Sequence, residues 1–366
     1  MHLKNKTTCL LAIFVLQIIF QGCAVMPSIH ANFPKTNQNE APFRGVFHVH
    51  TRYSHDSLGS IQSVIKTASK ENFDFVVVTD HNSLKGKFDK ALLGRPKPLI
   101  IFGNEISTSD GHLVALGIDK EIPTPVEPQS AIDQIHQEGG YAVLAHPVCK
   151  RTSWKDWNVT NYDAIEVYNF ACDFYDSNKV MLAAKSLLLP PDWFIRKIAK
   201  TPEESLRKWD ELLFSKQVAG IGAADSHVCC RVFGFPLIRY SLSFRSVTTY
   251  VYAKSLSEKD ILEALIHGKS FIAFESRGFA KKFRFTAKTA QGQFKPGSVV
   301  ISEAPVTLAV ELPIAAQIRL IHNGEQVAVK KGKTLVFPAK DSGIYRVEVF
   351  RNGKIWILSN PISIQM

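Results

Sequence analysis

The chain alternates between short, nearly continuous apolar runs and stretches whose apolar residues return every three or four positions. The runs cover residues 46–50, 73–78, 99–104, 111–117, 141–145, 162–167, 218–224 and 271–274. Their length and β-branched content predict strands buried on both faces, as in a parallel sheet. Ile61, Val64, Ile65 and Ala68 share one face of a helix over 60–71, and Ile132 and Ile135 mark a second. Ile261, Leu262, Leu265 and Ile266 mark another, behind the capping box Ser257-Glu258-Lys259-Asp260. Residues 179–214 read as a long helical insertion whose Trp193 and Trp209 are expected to shape a pocket. Strands fed by helices specify the α/β class.

From about residue 281 the texture changes. Short alternating runs at 317–321, 327–329, 345–350 and 355–358 surround the dipeptides Asn323-Gly324 and Asn352-Gly353. Both dipeptides predict tight hairpins. A small all-β sandwich over 281–366 is the expectation, with Phe350 and Trp356 in its core and no catalytic cluster.

Chemistry collects where the first set of strands ends. His48 and His50 lie two apart on one strand and so face the same way. Asp56 follows in the loop, His81 closes the next run, and Glu105 the one after. His112 heads a further strand, His146 ends another, and Asp225 and His227 follow 218–224, again two apart. In parallel β/α folds the loops gather at the carboxyl ends of the strands, and functional groups sit there. Buried carboxylates and imidazoles need partners. Zinc, manganese or iron would supply them. Clustered divalent ions lower the pKa of bound water and clamp phosphoryl oxygens during in-line displacement. No Gly-x-Ser-x-Gly elbow and no glycine-rich phosphate loop with its lysine occur, which removes support for serine-hydrolase and nucleotide-dependent mechanisms. Arg151 and Arg231 follow ligand-type motifs closely enough to meet a substrate phosphate bidentately. Asn169, at a strand end, is a further candidate for the pocket wall.

Together His48-Val49-His50 with Asp56, Thr79-Asp80-His81, Gly103-Asn104-Glu105-Ile106-Ser107, Ala145-His146-Pro147 and Asp225-Ser226-His227 resemble the PHP (polymerase and histidinol phosphatase) metallohydrolases, in that family's order. The resemblance implies a distorted, TIM-like (β/α)7 barrel over 43–280 with three divalent ions at its C-terminal rim. Carried over by position, His48, His50, Glu105 and Asp225 would hold one ion. Glu105, bridging, would hold a second with His112 and His146, and Asp56, His81 and His227 a third. Asp80 would orient a ligand imidazole. The activity implied is a phosphoesterase with a metal-bound hydroxide nucleophile, acting on a small phosphate ester. Exported proteins of this layout are also similar to hydrolases of carbamates and amides, which stays open as a different reaction on the same site. A non-catalytic metal-binding lipoprotein is the third reading.

Lys4 and Lys6, the apolar run 10–20 and Gly22-Cys23 make residues 1–23 an export signal, too short for a durable membrane span. The ending Phe20-Gln21-Gly22-Cys23 resembles a bacterial lipoprotein box with Cys23 as the lipidated residue, and plain secretion with later cleavage is the alternative. Ala24 after Cys23 favours an outer-membrane anchor facing the periplasm, followed by a polar tether to residue 42. The 366-residue chain carries +11, or +9 once Lys4 and Lys6 leave with the signal. No long Lys/Arg run with interleaved aromatics is present, and an exported protein rarely meets nucleic acid, so nucleic acid is not an expected partner. Of the cysteines, Cys149, Cys172, Cys229 and Cys230 remain. A bridge from Cys149 to Cys229 or Cys230 at the rim of the site, or buried thiols throughout, are both consistent with their positions.

Overall fold

The computed structural model describes residues 41–94, 97–178, 189–229, 231–232, 235–236 and 239–366. The signal with Cys23, most of the tether, residues 179–188 of the insertion, Cys230 and the side chain of Arg231 lie outside the described residues. Strand β1 (Phe43–Val49) leads to helix α1 (Ile61–Lys70), β2 (Phe75–Val78), β3 (Leu99–Thr108) and β4 (Gly111–Leu116). Then come α2 (Pro128–Gln137), β5 (Tyr141–Ala145), β6 (Ala164–Asn169), α3 (Phe170–Tyr175), α4 (Pro191–Ile198), α5 (Glu203–Leu213) and β7 (Ala219–Ala223). The Ser60 hydroxyl accepts the Ser63 N–H, and Ser63 reaches back to the Ser60 N–H, so α1 begins where its orphan donors are satisfied.

Strands β1, β2 and β3 pair in parallel, β4 runs antiparallel between β3 and β5, and β5, β6 and β7 are parallel again. The pairing then returns to its start. Ala224 N–H donates to the Phe47 carbonyl, Ser226 N–H to that of His48, and His50 N–H to that of Ser226, at 2.9–3.0 Å. Alternation sorts the side chains of these strands into two layers. Phe47, Phe75, Val77, Ile101, Val114 and Val143 fill one cluster, while Val46, Val49, Val76 and Val78 join Ile61, Val64, Ile65 and Ala68 in the other.

Two expectations change here. Strand β3 does not end at Glu105 but continues to Thr108, because the antiparallel hairpin to β4 extends the ladder past it (Glu105 opposite Val114, Ser107 opposite His112). The described part of the insertion, from residue 189, is helical as expected, in two helices separated at Pro202. Its aromatic residues do not face the site. Trp209 is fully buried and donates Nε1–H to the Val218 carbonyl at 2.9 Å, while Trp193 is exposed.

After β7 follow β8 (Arg231–Val232), β9 (Phe235–Pro236), α6 (Tyr240–Ser243), β10 (Thr248–Val251), α7 (Glu258–Ile266) and β11 (Ser270–Ala273). Strand β10 pairs antiparallel with β1, and β11 with β10. The remaining chain is β-rich: β12 (Arg284–Thr289), β13 (Gly292–Phe294), β14 (Val299–Ile301), β15 (Val306–His322), β16 (Glu325–Ala339), β17 (Gly343–Arg351), β18 (Lys354–Ser359) and β19 (Ile362–Gln365). Both Asn-Gly turns have positive φ at each central residue (49° and 82°, 52° and 72°), as two-residue hairpin loops require. Strands β15 and β16 are longer than the sequence runs suggested, because their pairing resumes beyond an irregularity between Glu311 and Ala316 that absorbs Pro313.

Phe283, Phe285, Leu308, Ile318, Val347 and Trp356 share a separate core cluster. Several contacts tie this region to the elements before it. Strand β18 pairs with β11, Asn360 exchanges hydrogen bonds of 2.8 Å with both backbone groups of Gly220, and Arg346 pairs bidentately with Asp210 of α5. Among the described residues no helix is long and apolar enough to cross a membrane.

Candidate metal centre

Three residues turn the ends of their strands into a bowl by adopting left-handed backbone: His48 (φ 68°), His146 (φ 34°) and Asp225 (φ 46°). That region is costly for residues other than glycine, and such strain persists where surrounding structure over-determines it. At His48 it coincides with a register shift against β2, so that Phe47 and His48 occupy two positions of β1 where β2 uses one.

The bowl gathers all nine residues marked by the sequence. His48 Nε2 and His50 Nε2 are 2.9 Å apart, each 3.0 Å from Glu105 Oε2 and within 3.4–3.6 Å of Asp225 Oδ1. The other oxygen of Glu105 faces His112 Nδ1 at 2.8 Å and His146 Nε2 at 2.9 Å. Asp56 Oδ2 meets His227 Nε2 at 2.8 Å and His81 Nε2 at 3.3 Å. Glu105 therefore serves imidazoles with both of its oxygens, Oε2 lying 3.4 Å from His81 Nε2 as well, and Asp56 serves His81 and His227. His55, also in the loop after β1, lies beside His81 with ring centres 4.9 Å apart and ring planes tilted by 36°.

Electrostatics follow from this crowding. Burial works to discharge His48, but Glu166, Asp225 and Glu105 outweigh it and hold its pKa well above the usual value. His50 is treated the same way, its burial overcome by Asp225 and Glu105, and rises to about 10. His146 is raised by Glu105 against its burial. Burial likewise favours protonated Glu105 and Asp225, yet the imidazoles around them hold both carboxyl groups well below the ordinary range. The bowl is thus built around buried carboxylates that demand positive charge.

The outer partners select which ring nitrogen faces inward. The Ser54 hydroxyl donates to Asp56 Oδ1 at 2.7 Å, so toward His50 Nδ1, 3.1 Å away, it acts as acceptor. His227 Nδ1 donates to the Asp225 carbonyl, and His48 Nδ1 faces Glu166 Oε1. His146 Nδ1 is met by the Thr152 hydroxyl at 2.9 Å. Four imidazoles therefore have Nδ1 engaged and Nε2 turned into the bowl, the arrangement in which second partners fix ligand tautomers. Convergent Nε2 atoms, split carboxylate oxygens and four groups of three donor atoms lying within 4.8 Å of one another fit divalent cations.

Glu166 was missed by sequence reasoning, as were Ser54 and Thr152. It is buried on β6 and also accepts the His146 N–H at 2.8 Å and the Asn169 Nδ2–H at 2.9 Å. Its signal was available, a carboxylate set between the apolar residues Ile165 and Val167. Asn169 caps α3 and spans Glu166 and Asp225, which makes it a scaffold residue of the bowl. Asp80 accepts the backbone N–H and hydroxyl of Thr51 rather than an imidazole, so it fixes the loop after β1. The bowl opens into a cavity of about 350 Å³ whose wall includes Arg151, Thr152 and Tyr175. Cys149 is bonded to Cys172, not to Cys229 or Cys230. Strand β5 lies beside β6, so the loop after His146 meets the start of α3.

Residues 47–149 match the PHP domain family model. The matched stretch contains His48 to His146, and Asp225 and His227 enter the bowl from beyond it. An uncharacterized protein of Methanocaldococcus jannaschii is 29% identical over 136 residues, 33% of this chain and 79% of the relative. A second uncharacterized protein of that organism is 29% identical over 140 residues, 36% of this chain and 54% of the relative. Among solved structures, a two-domain Bacteroides vulgatus protein containing a predicted PHP-like metal-dependent phosphoesterase aligns over 90% of this chain and 99% of its own, with 14% identity and a TM-score of 0.44.

Proposed function

We propose that the protein is a metal-dependent hydrolase of PHP type that cleaves small phosphate esters. The observation that carries this reading is Glu105, whose two oxygens serve separate imidazole groups while Asp56 and Asp225 attend the outer ones. We read the cyclic pairing of β1 to β7 as a distorted (β/α)7 barrel and the β-rich C-terminal region as its companion sandwich domain. His48, His50, Glu105 and Asp225 would hold one divalent ion, Glu105, His112 and His146 a second, and Asp56, His81 and His227 a third. Bound there, such ions supply Lewis acidity toward phosphoryl oxygens and a nucleophile from water at neutral pH.

The chain's own residues do the rest. Glu166 and Ser54 hold the imidazoles so that Nε2 faces inward without reorganisation. Arg151, an exposed cation on the cavity wall that pairs with no carboxylate among the described residues, meets the substrate's anionic end. An N-terminal lipid on Cys23 would tether the enzyme to a membrane facing the periplasm.

The test is phosphate release from mono- and diesters by manganese- or zinc-loaded protein. Release that stops on chelation and in His81→Ala supports the reading. Turnover that survives both would sink it, and a metal-loaded protein inert toward phosphate esters would leave the amide and carbamate reaction in its place.

A further inference from the structure

The cavity above the bowl has one wall made of elements that no candidate ligand belongs to. The loop after His146 carries Cys149, Arg151 and Thr152, while α3 carries Cys172 and Tyr175, and all of these line the cavity. The Cys149–Cys172 disulfide joins the two, with Cα atoms 5.6 Å apart and a sequence separation of 23. Across this staple the Arg151 guanidinium lies over the Tyr175 ring, 5.0 Å from its centre. Such stacking orders a guanidinium that would otherwise sample many rotamers, while leaving its fork of donors free for an oxyanion.

Both ends of the staple are already anchored in the bowl. On one side Cys149 N–H donates to the His146 carbonyl, and Thr152 returns to His146 Nδ1. On the other, Cys172 N–H donates to Asn169 Oδ1, and Asn169 holds Glu166 and Asp225. Those hydrogen bonds hold the base of each segment without the disulfide. What the disulfide adds lies further out, where Arg151 must stay over Tyr175.

The geometry points to the Cys149–Cys172 disulfide as a positioning element for substrate: it makes Arg151 and Tyr175 one anion-binding wall, so the oxidised protein binds a substrate oxyanion well and the reduced protein poorly. Two-electron reduction by a dithiol takes up two protons, opens the S–S bond to two thiols and leaves the reagent as its own disulfide. The loop and α3 then separate, Arg151 regains its rotamer freedom, and the metal ligands stay where their own partners hold them. This inference rests on the metal-site reading of the bowl but not on turnover.

The experiment measures inorganic phosphate binding to the manganese-loaded full chain by calorimetry, with metal content determined in parallel. It compares wild type, dithiol-reduced wild type, the double variant Cys149→Ser with Cys172→Ser, and Arg151→Ala. Reduction and the double variant are expected to weaken phosphate about tenfold with metal content unchanged, as losing one ordered charge-assisted contact would. Arg151→Ala should match them, and combining it with the double variant should add nothing, which a merely structural staple would not produce. Where an ester is turned over, KM should rise while kcat holds. Phosphate affinity within about twofold of wild type in both disulfide-free proteins, or loss of metal in step with phosphate, overturns the proposal. A protein that shows the binding pattern but hydrolyses no phosphate ester supports the wall and refutes the reaction proposed above.

Discussion

Glu166 Oε1 lies 2.5 Å from His48 Nδ1, and the other oxygen of the same carboxylate accepts the His146 N–H. One buried side chain thereby orients the His48 imidazole and holds the backbone of His146, which follows a different strand. Replacing it tests whether the bowl depends on its outer partners.

Glu166→Gln keeps the volume but removes the charge and puts an amide where two donors, His146 N–H and Asn169 Nδ2–H, need an acceptor. Metal affinity should fall about tenfold to a hundredfold, as is usual when the partner of a ligand histidine is lost. Competition with a calibrated chelator reads this directly, and unchanged affinity would show that the pairing is incidental.

Gly103 stands two residues before Glu105, where β3 passes closely over β4. A Cβ there would sit 2.6 Å from the Ala115 carbonyl oxygen, which is backbone and cannot swing aside. Gly103→Ala should cost about 1–3 kcal/mol, the usual range for overpacking, as a lowered urea midpoint at unchanged m-value. Because the shift falls on the strand that carries Glu105, metal affinity should fall with stability. Stability lost without any effect on metal would mean that β4 moves and β3 does not.

Lys216 offers a pH signature remote from the bowl. Burial lowers its pKa to about 8 against the pull of Asp163, and its ammonium lies over the Tyr162 ring. The folded value lies below the unfolded one of 10.5, so between them the unfolded chain binds more protons and stability rises with pH. This contribution is present above the unfolded pKa and is lost as pH falls through about 8. Lys216→Met should flatten the stability profile between those limits, measured by urea melts at several pH values. An unchanged slope would show that the lysine reaches solvent in the folded state.

The ligand-type residues were legible because imidazoles and carboxylates at the ends of apolar runs have few structural explanations. Glu166 hid inside such a run, and only the pairing of β6 with β5 and β7 brings it under His48 and His146. Ser54 and Thr152 escaped because a hydroxyl in a loop resembles any turn residue. The disulfide was misjudged for a related reason. Cys229 follows His227 closely in sequence, but the loop after β5 adjoins the element after β6, and strand adjacency rather than distance from a ligand decides which sulfurs meet. The reach of β3 past Glu105 was hidden too, since only its partner β4 determines where a ladder stops.

Asn360 and the β11–β18 pairing bear on how such a protein can be shortened or recombined. Removing everything after residue 280 would uncover one whole edge of β11 and strip both backbone groups of Gly220 of their partners. A bare strand edge recruits other strands, including those of identical chains. The C-terminal region thus doubles as the protein's guard against self-association, and a chimera that exchanges it must bring a replacement edge strand and a side chain able to meet Gly220.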